Sequence, residues 1–240
     1  MNERKISLVL TNYNRLDAII NLINKVTLFD EIVINDDFSD INIFNQLKSF
    51  CDTKPHVKLY RNESNVGAFH NKYLAITKAT NDWCVLFDSD NLLMDSYVET
   101  LFGLSEWDND TIYQPSQFGP FDFKKYEGTL FSTPNDILPD LGALFNGGNY
   151  FVNKNKYIST ITGWENIIKY VEVHTLLYLW LLEGGKFYVT PNLNYYHVTS
   201  PDSFYMSHEQ YHIRMKAYLL DCIKNNKELD KEEIIKLNNR

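Results

Sequence analysis

Trp83-Cys84-Val85-Leu86-Phe87-Asp88-Ser89-Asp90 decides the reading of this sequence. Five apolar residues run without a break and end in an acidic turn. A short run that is apolar at every position reads as a strand buried on both faces. Working outward, the residues before it repeat that pattern. Ile6, Leu8, Val9 and Leu10 read as a first strand, Ile32 to Ile34 as a second, and Val57, Leu59 and Tyr60 as a third. Between them, Leu16, Ile19, Ile20 and Ile23 fall at helical spacing, as do Ile43, Phe44, Leu47 and Phe50, and a further helix is predicted over Ala68 to Lys78. Strands of this kind alternating with helices give an α/β fold, a mainly parallel sheet covered on both faces. Such sheets bind ligands beyond the carboxyl ends of their strands. Thr11, Asn12, Tyr13 and Asn14 follow the first strand, Asp36 and Asp37 the second, and Asp88, Ser89 and Asp90 the fourth. Three polar strand ends therefore converge on one crevice.

The second half is less regular. Asp108 to Leu144, rich in Pro, Gly, Phe and Asp, reads as loops, and Tyr150 to Val152 as a strand. An apolar helix is predicted over Asn166 to Leu182, stopped by Gly184 and Gly185. Lys186 to Val189 and Asn194 to Val198 read as two strands, and the tail from Met206 as helical. Without a linker or repeat, one domain is expected over 1–240, with a ligand-binding half (1–101), a second half (102–204) and C-terminal helices (205–240).

The composition narrows the partners. The 240 residues are 44% apolar, enough for a substantial core. The formal charge is -8, from 23 basic and 31 acidic residues, which argues against nucleic acid. An acidic protein that binds an anionic ligand needs local help from a divalent cation or helix N-termini. Aromatic residues reach 15%, as core or as platforms for rings. Cys51, Cys84 and Cys222 have no metal-ligand spacing, and reduced thiols fit a cytoplasmic protein. No signal peptide and no 18-residue apolar run stand in the sequence, so no transmembrane segment is expected and membrane association would be peripheral.

The chemistry starts from Asp88 and Asp90. Two carboxylates two residues apart on a turning strand end can reach one cation and the ribose beside it. Mg²⁺ or Mn²⁺ takes such oxygen ligands and leaves positions for phosphate oxygens. The plain alternative is an ordinary Asp-rich turn. Asp36 and Asp37 can accept from a base N–H or from ribose hydroxyls; equally, that turn can cap the next helix through Ser39 or Asp40. Asn65-Val66-Gly67 precedes a helix, as a tight turn with Gly67 at positive φ or as backbone close to a ligand.

In combination these stretches resemble the inverting family 2 glycosyltransferases of GT-A fold. Thr11-Asn12-Tyr13-Asn14-Arg15 resembles their opening motif. Val33 to Asp40 resembles their nucleoside-binding acidic turn, with one residue fewer after the Ser. Asn65, Gly67 and Asn71 resemble their N-x-G helix start, and Asp88-Ser89-Asp90 resembles their metal-binding D-x-D. The resemblance is specific over Ile6 to Leu101 and thinner beyond it. Gly147 to Phe151 is similar to the acceptor-side strand, and Glu172 to Gly184 to the helix that opens with the family's acidic catalytic pair. That pair is not intact. Counting from Gly184 or from Gly185 leaves Glu172 and His174 as the two base candidates. His197 sits where some members place a third metal ligand; a hydrogen-bonded strand histidine is the alternative.

The resemblance implies a metal-dependent transfer of sugar from a nucleotide-diphospho-sugar to an acceptor hydroxyl. Thr11, Asn12, Asn14, Arg15, Asp36, Asp37, Asn65, Gly67, Asn71, Asp88 and Ser89 would hold the donor, a UDP-sugar by first expectation. Asp88, Asp90 and His197 would hold Mn²⁺ or Mg²⁺. The acceptor would be a glycan, a lipid-linked sugar or a protein. Three other classes compete. A haloacid-dehalogenase-type phosphohydrolase also uses D-x-D after a strand, but that family has Thr or Val where Leu92 stands, and its strand comes first. A nucleotidyltransferase opens with a glycine-rich basic loop, and Thr11 to Leu16 has no glycine. A non-catalytic nucleotide-sugar-binding module is kept open by the broken acidic pair.

Overall fold

The structure is a computed structural model and describes residues 4–119, 121–140, 149–169, 172–198 and 208–239. Its first half follows the apolar pattern. β1 (Ile6–Asn12), β2 (Glu31–Asp36), β3 (Val57–Arg61) and β4 (Trp83–Asp88) alternate with α1 (Leu16–Lys25), α2 (Ile41–Cys51) and α3 (Ala68–Thr77). All six residues of β2 are buried, as a central strand covered on both faces requires. Ile19, Leu22 and Ile23 form the buried stripe of α1. Asp40 caps α2, accepting from the Asn42 amide at 2.8 Å.

α4 (Asp95–Gly103) leads into a second half with more strand than its composition suggests. β5 (Thr111–Gly119), β6 (Phe121–Asp122) and β7 (Leu130–Phe131) cross the stretch read as loops. Pro115 and Gly119 hide β5 from a periodicity search. Pro is tolerated there because the register with the neighbouring strand shifts between Pro115 and Gln117. β8 (Tyr150–Asn153), α5 (Lys154–Ile161) and α6 (Glu172–Leu182) follow. The expected long helix from Asn166 starts later, because Trp164 closes a turn with the amides of Ile167 and Ile168. Gly184, at φ +75, ends α6 as anticipated. The two strands expected at 186–198 are one, β9 (Lys186–Tyr196), with Pro191 and Asn192 (φ +61) absorbed in the bulge opposite β5. α7 (Glu209–Lys224) and α8 (Lys231–Asn238) close the chain.

The strands form one nine-stranded sheet in the order β3-β2-β1-β4-β8-β5-β9-β7, with β6 paired to β5. β1 to β4 run parallel, and β8 enters antiparallel beside β4. No helix among the described residues is long and apolar enough to cross a membrane.

Candidate active site

The register of the parallel strands sets the site. Thr11 lies beside Asp88 across β1 and β4, Asn12 beside Asp36 across β1 and β2, and Asp36 beside Arg61 across β2 and β3. The polar residues thus line one edge of the sheet, next to the change of direction at β8.

The loops after β1 and β2 are welded together. The buried Asp36 takes the side-chain amide of Asn12 at 2.8 Å, and the amide and hydroxyl of Ser39. The Asn14 amide donates to the Ser39 hydroxyl at 2.8 Å, and Asn14 Oδ1 accepts from the Asp40 amide at 2.8 Å. Asn14 pays for this with a left-handed backbone, φ +55, which asparagine tolerates better than most residues. Asp37 is equally engaged. Its Oδ1 accepts from Asn62 Nδ2 and the Val66 amide, and its Oδ2 from the Gly67 amide, while its carbonyl accepts from Asn65 Nδ2. The acidic turn therefore works first as a clamp on the neighbouring loops. What it presents outward is Phe38, half exposed at φ +64, with the exposed Tyr13 on the next strand end. Among the described residues Asn12 Oδ1 is buried at this crevice without a hydrogen-bond partner.

Gly67 sits at φ +87 and ψ 161, a region that is essentially glycine-only. A methyl group there would meet nothing within 4 Å, so the cost of one is backbone strain alone. Gly67→Ala is expected to lower unfolding free energy by about 1–3 kcal/mol, read by urea denaturation. Asn71 is placed inside the fold, accepting from Asn35 at 2.6 Å and from Asn62 at 3.0 Å, and bracing α3 against β2.

Asp88 and Asp90 stand at the end of β4. The Asp88 amide is fixed by Asn149 Oδ1 at 2.7 Å. Asp88 keeps 30% of its side chain exposed; Ser89, between the two, is buried. Asn91 closes the turn by donating to the Asp88 carbonyl and accepting from the Val198 amide. Burial raises the Asp90 pKa from its ordinary value, and the Asp88 charge adds to the rise; Arg15 and His197 pull it down. A carboxylate pair in that state favours a cation. Both donors are hard oxygens, so Asp88 and Asp90 fit a divalent ion completed by ligand oxygens. Among the described residues no three His, Cys, Asp or Glu side chains form a ready metal cage. His197 thus comes close enough to influence Asp90 without joining both carboxylates in one.

The two base candidates part company. Glu172 opens α6. Val173 and Leu176 line a small cavity shared with Lys72, whose Nζ is 2.8 Å from Asp88 Oδ1. The start of α6 therefore abuts the D-x-D strand. His174 is 6% exposed, and burial, followed by Lys216 and His212 of α7, holds its pKa well below the ordinary imidazole value. The structure sets it towards the C-terminal helices. Gly147 and Gly148 of the acceptor-side stretch, and Thr199 and Ser200 after His197, lie outside the described residues.

Lys72 and Asn62 take part in this edge without having been singled out from sequence, and Ser39 and Asn149 enter there only as a possible helix cap and as part of the acceptor-side stretch. Of the first two, only Lys72 left a signal there, as a basic residue on the buried Phe69, Lys72 and Ile76 face of α3.

A parallel half-sheet with its acidic strand ends gathered at one edge, continued by an antiparallel strand, defines the class as a GT-A fold, and comparison with solved structures agrees. The mannosyltransferase PcManGT from Pyrobaculum calidifontis, in complex with GDP-Man and Mn²⁺, superposes with a TM-score of 0.65 at 13% identity, over 98% of this chain and 73% of that one. GalNAc-T7, with UDP, GalNAc and Mn²⁺, superposes with a TM-score of 0.65 at 16% identity, over 98% of this chain and 54% of that one, so this chain spans about half its length. The family model described as glycosyl transferase family 2 matches residues 7–159, and the chain belongs to that family. It is a glycosyltransferase. No curated protein matches it in sequence.

Proposed function

We propose that the chain is a metal-dependent, inverting glycosyltransferase that moves a sugar from a nucleotide-diphospho-sugar to an acceptor hydroxyl. The observation that carries this is the Asp88 and Asp90 pair, at the carboxyl end of a central strand beside Thr11, with the Asp90 pKa raised by burial and by its neighbour. The Mn²⁺ and nucleotide ligands of the two structural neighbours support it.

In this reading Asp88 and Asp90 would hold Mn²⁺ or Mg²⁺, which would neutralise charge on the departing diphosphate. The loops welded by Asp36, Asp37 and Asn14 shape the nucleoside end, where Asn12 Oδ1 is still open to a donor. Arg15 adds positive charge near the diphosphate. Glu172 takes the proton from the acceptor hydroxyl, whose oxygen attacks the anomeric carbon from the face opposite the leaving group. UDP-sugars are the first donors to test; the acceptor is a glycan, a lipid-linked sugar or a protein.

Thermal shift tests this. UDP or GDP with Mn²⁺ is expected to raise the melting temperature well beyond either component alone, a ligand at 100 times its Kd adding about 2.7 kcal/mol. No shift with any nucleoside diphosphate and Mn²⁺, or release of inorganic phosphate from simple phosphoesters, would count against the assignment.

A further inference from the structure

Lys72 is unusual in two ways. It projects from the buried face of α3 and is only 7% exposed, although lysine is seldom buried. Its Nζ bonds Oδ1 of Asp88, one of the carboxylates assigned above to the cation. Its stem runs past Phe69, Leu86, Tyr150, Tyr157, Val173 and Leu176, around a cavity of about 10 Å³, little more than the space of one water. Apolar walls on all these elements leave the ammonium little freedom to swing away. Without Asp88 the buried ammonium would be stranded, so the contact is held firmly from the lysine side.

A charge count gives the consequence. Asp88 and Asp90 bring two negative charges to the edge; Lys72, through its bond to Asp88, and Arg15, through its action on Asp90, bring two positive ones. Their formal sum is zero. A divalent ion arriving alone therefore meets a neutral site with one Asp88 oxygen already taken. Arriving with a nucleoside diphosphate, it meets the negative charge that it lacks.

We propose that Lys72 is a fixed cation of the donor site, a positioning residue that makes tight binding of the divalent ion depend on the nucleoside diphosphate. It does so by holding Asp88 Oδ1 and cancelling one of the two carboxylate charges. This deepens the reading of Asp88 and Asp90 as the donor-site carboxylates and rests on it. By linkage the dependence is reciprocal: the ion strengthens nucleotide binding by the factor by which the nucleotide strengthens ion binding.

The test is direct binding of Mn²⁺ alone, UDP alone, GDP alone and each nucleotide with Mn²⁺, to the wild type, Lys72→Met, Lys72→Arg and Asp90→Asn. Free Mn²⁺ is read by electron paramagnetic resonance and nucleotide by calorimetry. Lys72→Met keeps the stem and removes the charge. It is expected to bind Mn²⁺ alone at least about tenfold more tightly, because a unit charge a few ångströms away exceeds that effect at protein dielectric. It should bind the nucleotide without metal about tenfold more weakly, and lose most of the coupling between the two. Lys72→Arg should stay near wild type. Should the methionine variant fail to fold, Lys72→Gln carries the same comparison. Weaker or unchanged Mn²⁺ binding in the charge-removed variant overturns the proposal; weaker binding is what a mere prop for Asp88 would give. If Asp90→Asn leaves wild-type Mn²⁺ and nucleotide binding intact, the donor-site reading itself has failed. If Asp90→Asn abolishes coupled binding while Lys72→Met matches wild type, only the role of Lys72 has.

Discussion

Replacing Asp90 by asparagine is expected to weaken binding of a nucleoside diphosphate in the presence of Mn²⁺ by on the order of a hundredfold, because even the outer partners of a metal site are worth about 10–100-fold. The same variant should fold at least as well as the wild type. Burial and the neighbouring Asp88 both disfavour the Asp90 carboxylate in the folded chain and raise its pKa. A raised carboxylate pKa means that ionisation costs more folded than unfolded. Wild-type stability therefore gains as pH falls towards and through the folded pKa, and loses that gain above it. Asparagine removes the charge and with it this destabilisation. Lost binding combined with preserved or improved melting temperature separates a ligand-binding carboxylate from a structural one. Calorimetry and a melting curve at neutral pH read both. Unchanged affinity would show that Asp90 is not at the metal.

Asp36 is expected to behave in the opposite way, and the contrast shows what the sequence could and could not convey. Asp36, Asp37 and Asp90 look alike as residues, each an acid after an apolar strand. The first two spend their oxygens on Ser39, Asn12, Asn62 and the amides of Val66 and Gly67, while Asp90 faces Asp88, Arg15 and His197. Apart from Ser39 and Asp88, these partners lie 24 or more residues away, which periodicity cannot reach. The first four strands and three helices were legible because apolar runs and helical stripes are local signals. β5 and the unity of β9 were not, because Pro115 and Pro191 read as breakers and only the bulge between paired strands accommodates them. His174 stayed beside Glu172 as a second base candidate for a similar reason. Two residues apart in sequence, they separate by about 200° on a helix, and which face meets α7 is a tertiary fact.

Glu172→Gln is expected to leave donor binding within about threefold of wild type and to lower turnover by about 10²–10⁴-fold, the scale of a lost general base. The argument starts from α6. Its first residue is Glu172, and the next, Val173, lines the cavity where Lys72 reaches up to Asp88. The helix N-terminus therefore stands beside the strand end assigned to the diphosphate. A carboxylate in the first turn is favoured as the anion by the helix dipole, by about 0.3–1 kcal/mol, and the anion is the form that accepts a proton. His174 has the opposite setting. It is buried against α7, and its proton affinity is lowered by burial and by Lys216 and His212. His174→Gln is therefore expected to act on the melting temperature and to change turnover less than about tenfold, below the usual range for a general base. The pair is to be measured with one donor and one acceptor, recording donor affinity by calorimetry and product formation over time. Glutamine at 172 is close in shape to glutamate and cannot take the proton, so a loss confined to turnover isolates the chemical step. If His174→Gln gives the turnover loss while Glu172→Gln does not, the base is His174, and proton transfer has to run through the interface of α6 and α7 instead of the mouth of the crevice.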